Sequence, residues 1–302
     1  MFHDALVPFA ERRIIRMKEK TSLFLVCLLL LILFITALYP IVSNLQKERI
    51  QRQQILDYQN AVEQVPEKKL NREWKRAKTY NWNLVQNGVV VADPFDPRKY
   101  VPDQKTYTDL LNPNGDGIMD YLEISKISLK LPIRHGTEAE TLANAVGHLE
   151  GTSLPTGGKV THAVLSAHRG LPSTELFTNL DRLAEGDIFT LYILDKILYY
   201  KVDSIKVVEP EEVDDLRIIE GKDCVTLVTC TPYSINSHRL LVRGQRRAAV
   251  DGQNGEKENF FSLHVYECVA VPVLLVICVA VAGAMKRNIA SRREKEEAKE
   301  EK

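Results

Sequence analysis

The chain has 302 residues, 40 Lys+Arg balanced by 40 Asp+Glu, and 45% hydrophobic side chains. That composition supports one packed core of ordinary size and excludes a disordered or collagen-like chain. The zero net charge hides an uneven distribution: two long apolar runs lie near the ends, each with basic residues on its outer flank, which excludes a simple soluble cytoplasmic protein.

Residues 1–21 carry Arg12, Arg13, Arg16, Lys18 and Lys20 and are expected to stay in the cytoplasm. Ser22 to Ser43 has 22 residues without a charge, roughly 33 Å as a helix and enough to cross a bilayer. A cleaved signal peptide is the competing reading, but its apolar part would be shorter, and Ala37–Pro40 lacks a small-x-small cleavage site, so a retained transmembrane helix over 22–43 is expected. Residues 44–87 are polar, charged and aromatic with few turn formers, which predicts one or two helices acting as a stalk and flank of an outer domain. Pro94, Pro97, Pro102 and Pro113 make 88–113 a long loop.

From 114 to 248 strand signals dominate: Tyr121–Leu131, Ala163–Ala167, Ile188–Leu194, Ile197–Val202, Val225–Thr229 and Leu240–Arg243, with a hairpin turn at Asp195-Lys196. Two short helical patterns interrupt them. One covers Glu138 to Val146; the other, Ser173 to Ala184, has a Ser173 or Thr174 cap and Leu176, Leu180 and Leu183 on one face. This pattern predicts a mainly β barrel or sandwich. A linker over 249–264 leads to a second apolar run, 265–285, whose only charge is Glu267 at its outer end; a buried core helix is the alternative, but core helices seldom stay apolar all round. Lys286, Arg287, Arg292 and Arg293 open the tail, 286–302. The positive-inside rule then gives a two-pass cell-membrane protein with both termini cytoplasmic and 44–264 on the extracytoplasmic face.

Of five cysteines, Cys27, Cys268 and Cys278 lie in the apolar runs. Cys224 and Cys230 fall on one strand-like segment, which would hold their Cα atoms roughly 20 Å apart, whereas a disulfide needs less than about 7 Å. The outer domain is therefore expected to hold unpaired thiols. Cys224 reads as a small buried hydrophobe. Cys230, at a strand end, is a candidate nucleophile, with a structural thiol as the competing reading. A thiol catalyst needs a proton carrier and a donor for the developing oxyanion. Arg239 returns beside Cys230 across the turn-prone 231–238 segment; Arg243 shares its face but lies roughly 13 Å further along. Seven histidines are present, and His168, ending the apolar strand before Arg169-Gly170, suits a site on a β scaffold, although spacing alone does not separate it from His162.

Thr226–Cys230 (TLVTC) followed by Arg239 resembles the sortase signature, and Leu165–Gly170 (LSAHRG) resembles that family's histidine segment. The resemblance continues through Gly147–Pro155 (GHLEGTSLP) and His238–Gly244 (HRLLVRG) and covers roughly residues 88–247. It implies an eight-stranded sortase-type β-barrel with short helices, an N-terminal helical flank and a lid loop. It also implies Cys230 as nucleophile, His168 as acid/base and Arg239 as oxyanion or substrate stabiliser. Ala167 stands where many relatives carry Gly, which leaves His168 assigned. Two features resemble the pilus-building class C subgroup: the C-terminal apolar run and Asp93-Pro94-Phe95, which is similar to that subgroup's lid. There the likeness implies that Asp93 pairs with Arg239 and Phe95 covers Cys230; the tripeptide alone is also an ordinary proline turn.

The implied activity is cysteine transpeptidation. Cleavage of an LPxTG-like sorting signal through a thioester would be followed by joining of pilin subunits through an acceptor lysine amine. A sortase linking proteins to a peptidoglycan precursor is one alternative, and a non-catalytic membrane-tethered β adaptor with a structural Cys230 is another. The partners implied are pilins and membrane lipid. One further motif, Asn112–Glu123, sets Asn112, Asn114, Asp116, Gly117, Asp120 and Glu123 at positions like those of a calcium-binding loop. Asn at the first position and the missing helix pattern favour a turn before a strand. No zinc spacing, P-loop, dinucleotide fingerprint or basic nucleic-acid patch is present, so no cofactor, metal or nucleic-acid partner is expected.

Overall fold

The computed structural model describes residues 9–87, 91–96 and 104–248, together with Gly283. Two compact units divide the chain, 1–42 with 261–302, and 43–260. The first helix, α1 (Phe9–Glu63), runs on past Ser43 with Pro40 inside it. Its first part is the one segment among the described residues long and apolar enough to cross a membrane, with mean hydropathy 2.9 and none of it buried. This supports anchoring in a membrane. The predicted second span, the linker and both predicted cytoplasmic ends lie outside the described residues, apart from the start of α1.

In the larger unit, α1 and α2 (Glu67–Asn87) form the expected flank. The α1 residues Ile55 and Tyr58 are buried with Ile118 and Tyr121, and the Tyr58 hydroxyl donates to the Met119 carbonyl at 2.9 Å while accepting from Leu194 N at 2.8 Å. Leu70, Trp74, Ala77 and Asn81 follow at helical spacing on the buried face of α2. Asn81 replaces a strand partner for Leu154, accepting from its N–H at 2.7 Å and donating to its carbonyl at 3.0 Å.

The predicted loop 88–113 contains a short helix, α3 (Gln104–Thr108), and its Tyr107, Leu110 and Leu111 belong to the main core. Five residues are too few to show helical periodicity, so only the tertiary contacts of Tyr107 mark this helix. Tyr107 Oη lies 2.8 Å from His148 Nδ1 and accepts from Gly136 N at 3.1 Å.

Eight strands follow: β1 (Ile118–Ile124), β2 (Leu129–His135), β3 (Val146–His148), β4 (Thr161–Ser166), β5 (Ile188–Ile193), β6 (Lys196–Val208), β7 (Asp223–Thr231) and β8 (His238–Arg247). They close a barrel in the order β1-β2-β3-β4-β7-β8-β6-β5, with β2/β3 and β4/β7 parallel and the other pairs antiparallel. Closure gives each of these strands a partner on both sides.

The single strand expected over Tyr121–Leu131 is two strands joined by a 3-10 turn at Ser125–Ile127, with Ser128 in the left-handed region at φ 51°. No Gly, Pro or Asn marks that turn, and only a one-residue slip in the apolar alternation, from Leu122 and Ile124 to Ile127, Leu129 and Leu131, accompanies it. The helix expected over Glu138–Val146 is a single turn, α4 (Ala139–Leu142), and Val146 already begins β3. Over Ser173–Ala184 only the 3-10 turn Leu180–Arg182 forms. Leu176, Leu180 and Leu183 are nonetheless all buried in the core, so their spacing reports burial without a helix. The hairpin turn expected at Asp195-Lys196 falls one residue earlier, at Leu194-Asp195, because Lys196 already pairs with Ile193, and β6 runs on to Val208.

Candidate active site

Alternation along β7 separates two environments. Val225 and Leu227 point into the main core, while Val228 belongs to a second apolar cluster on the opposite face with Leu149, Val164, Leu216 and Leu241. Cys230 shares the parity of Val228, so its thiol stands at the end of that outer face. Arg239 is its direct cross-strand partner on β8. The turn between them, Pro232–Ser237, brings two residues nine apart in sequence side by side.

His168 reaches the same place from the parallel strand. Ser166 pairs with Val228, Ala167 N donates to the Val228 carbonyl at 3.2 Å, and the Thr229 hydroxyl donates to the Ala167 carbonyl at 2.8 Å. Carried two residues on, that register sets His168 level with Cys230.

The Asp93-Pro94-Phe95 segment lies against two of these side chains, Arg239 and His168. Arg239 donates from Nε to Asp93 Oδ1 at 2.9 Å and from Nη2 to Oδ2 at 2.6 Å, a bidentate pair whose side chains are only 11% and 13% exposed. Phe95 N donates to Asp93 Oδ1 at 3.3 Å, so the carboxylate also shapes its own turn. The Phe95 ring lies 5.5 Å from the His168 ring and 5.0 Å from the Arg239 guanidinium carbon, within cation–π range. Phe95 and Val91 pack on the outer apolar cluster, which anchors the segment.

Cys230 is left 7% exposed. Burial pushes its thiol up; Arg239 opposes this and Asp93 adds to it. Burial also holds the His168 imidazole below its usual range. Both effects favour the neutral thiol and neutral imidazole over a thiolate–imidazolium pair.

The other candidates fall elsewhere. His162 is fully buried, with Nδ1 2.7 Å from the Arg217 carbonyl and Nε2 2.7 Å from the Thr226 hydroxyl. Arg243 is paired with Asp203 at 3.0 Å. Cys224 is free and buried on the same strand as Cys230. His148 in the Gly147–Pro155 segment bonds Tyr107 and the Ser153 carbonyl at 2.8 Å, so this histidine ties the α3 segment to the barrel.

The calcium-like loop is a turn. Asn112 Oδ1 accepts from Gly117 N at 3.1 Å and Asp116 Oδ1 from Ile118 N at 3.0 Å. Asp120 is buried away from them, and among the described residues no group of three or more His, Cys, Asp or Glu is placed to hold a metal ion.

A closed eight-stranded barrel with a cysteine and an arginine paired across two neighbouring strands matches one family closely. The model of the sortase domain matches residues 122–247. The structure is similar to crystal structures of sortase C1 from Streptococcus agalactiae (44% identity, TM-score 0.61, 66% of this chain and 100% of that one) and sortase C-1 from Streptococcus pneumoniae (42% identity, TM-score 0.60, 66% and 100%). The chain therefore belongs to the sortase family. Sortase D of Bacillus subtilis (strain 168) is 30% identical over 129 residues, which are 41% of this chain and 62% of that protein's length.

Proposed function

We propose that the chain is a membrane-anchored cysteine transpeptidase of the pilin-joining class C type, with Cys230 as nucleophile, His168 as acid/base and Arg239 as stabiliser of the oxyanion or substrate. The observation that carries this reading is the convergence beneath one lid: Arg239 stands directly across from Cys230, and Phe95 contacts both the imidazole and the guanidinium. Likeness to sortases C1 supports the class, and the expected substrates are pilin subunits bearing an LPxTG-like signal.

In this mechanism the Cys230 thiolate attacks the Thr-Gly carbonyl of the signal, and the oxyanion forms beside the Arg239 guanidinium. Collapse breaks the C–N bond, and the imidazolium of His168 gives its proton to the departing glycine amine. The thioester then takes a lysine amine of the next subunit, whose proton passes back to His168, and the thiolate leaves.

The buried, neutral thiol described above belongs to the closed state. Lifting the lid hydrates both groups, which favours thiolate and imidazolium, and frees Arg239 from Asp93, which favours the thiolate. A closed lid also keeps water from a thioester, which favours aminolysis over hydrolysis.

Intact-mass spectrometry of the full chain with a sorting peptide tests the reading. An acyl adduct on Cys230, absent from Cys230→Ala, is expected; a wild-type chain without one ends the proposal. Supplying pilin lysine or peptidoglycan amine to the adduct then separates polymerisation from wall attachment.

A further inference from the structure

The strand ends that carry the imidazole and the thiol are joined by a side chain outside the chemistry above. Arg169 follows His168 directly. Its Nη1 donates to Thr231 Oγ1 at 3.3 Å, Nη2 is paired with the Asp181 carboxylate, and its guanidinium carbon stands 6.0 Å from the centre of the Tyr233 ring. Thr231 is the neighbour of Cys230, Tyr233 lies in the β7–β8 turn, and Asp181 sits in the 3-10 turn beside the buried Leu180. One planar fork thus ties the end of β4 to two separate stretches of chain, a task that suits arginine and not the single ammonium of lysine.

The backbone around it is pinned as well. His168 O accepts from Phe177 N at 3.1 Å, and Gly170 N donates to the Thr178 hydroxyl at 3.1 Å. Gly170 is left-handed at φ 76°, where a Cβ would stand 3.0 Å from the Tyr233 ring. The Arg169 side chain is only 9% exposed, and its Nε–H is buried without a hydrogen-bond partner among the described residues. Burying a charge with an unmet donor does not favour stability. Its geometric yield is a fixed spacing between the ends of β4 and β7.

We propose that Arg169 is a positioning residue that sets the imidazole of His168 against the thiol of Cys230 by clamping the end of β4 to Thr231 and to Asp181. The proposal rests on the reading of Cys230 and His168 as the reacting pair. Misplacement by about 1 Å in such a pair costs about a hundredfold in rate.

The test uses the full-length protein in detergent with a sorting peptide. For Arg169→Ala the maximal acylation rate should fall by about 10- to 100-fold while KM stays within about twofold. Arg169→Lys should recover part of the rate, and Asp181→Asn, at the 47% exposed end of the pair, should show a smaller loss of the same kind. Side-chain nitrogen resonances of the histidines provide a readout independent of turnover: His168 should move in Arg169→Lys and Asp181→Asn while His162 stays in place. An acylation rate equal to wild type in Arg169→Ala overturns the proposal, as does an unmoved His168 resonance, or equal movement at His168 and His162. If the wild-type chain forms no acyl adduct, the catalytic reading fails while the histidine resonances still decide whether Arg169 places His168.

Discussion

At the scale of single residues, the lid and thiol make separable predictions. Asp93 contributes to holding the Cys230 thiol up and occupies the guanidinium that would bring it down. Asp93→Asn should therefore move the pH profile of thiol labelling toward lower pH, and labelling at pH 7 should become faster by up to about tenfold. Phe95→Ala removes cover without removing charge, so it should raise labelling at every pH. Labelling indistinguishable from wild type in both variants would reject the gate.

Asp120 gives a second prediction at this scale. Its carboxyl is fully buried, neither oxygen has a hydrogen-bond partner among the described residues, and burial raises it well above the usual carboxylate range. The unfolded chain releases this proton near pH 4 while the folded chain keeps it to higher pH. The folded state thus binds more protons, and stability falls as pH rises between the two values. Asp120→Asn should stabilise the protein at pH 7 by about 1 kcal/mol, seen as a higher melting temperature, with the gain vanishing toward pH 4. Thermal melts at the two pH values check it. The proposed site residues Cys230, Arg239 and His168 are legible in the sequence through the segments that resemble the family's, since spacing alone leaves His168 beside His162. Asp181 and Thr231 are not, because an ordinary aspartate and threonine gain meaning only from the guanidinium that folding brings to them.

At the scale of elements, one contact ties the flank to the barrel and one close approach lets two of its strands pair. Asn81→Ala should destabilise the protein by about 1–3 kcal/mol, since Leu154 N–H and C=O lose their partner in a buried place; denaturant titration reads it directly. Gly147 stands where β3 runs parallel to β2, and a Cβ there would lie 2.4 Å from the Gly136 carbonyl oxygen. Gly147→Ala should therefore separate these strands and lower the melting temperature more than Asn81→Ala does. Strand β3 has only three residues, too short for an alternating pattern, and its existence depends on the neighbours that pair with it. The six longer signals are readable because a strand with one solvated face alternates, as β5 does, while β4 and β7, covered on both faces, read as near-continuous apolar runs. The 3-10 turn between β1 and β2 marks the limit of that reading: the apolar parity slips by one between Ile124 and Ile127, and no Gly, Pro or Asn announces a turn there.

At the scale of the whole molecule, the apolar part of α1 predicts that the protein stays with the membrane fraction through an alkaline wash and leaves it only in detergent. Release by the wash alone would show that this helix does not span. Composition and hydropathy determined by themselves the apolar anchor, the β character of the larger unit and the residue types available for thiol chemistry, because these follow from side chains and their local period. The resemblance implied that Asp93, 146 residues before Arg239, pairs with it; tertiary structure alone decided that the grip is two hydrogen bonds and that one phenylalanine ring lies against both His168 and Arg239. Such contacts arise when barrel closure brings strands β4, β7 and β8 together in one register. No local pattern encodes the distance between residues that only closure makes neighbours.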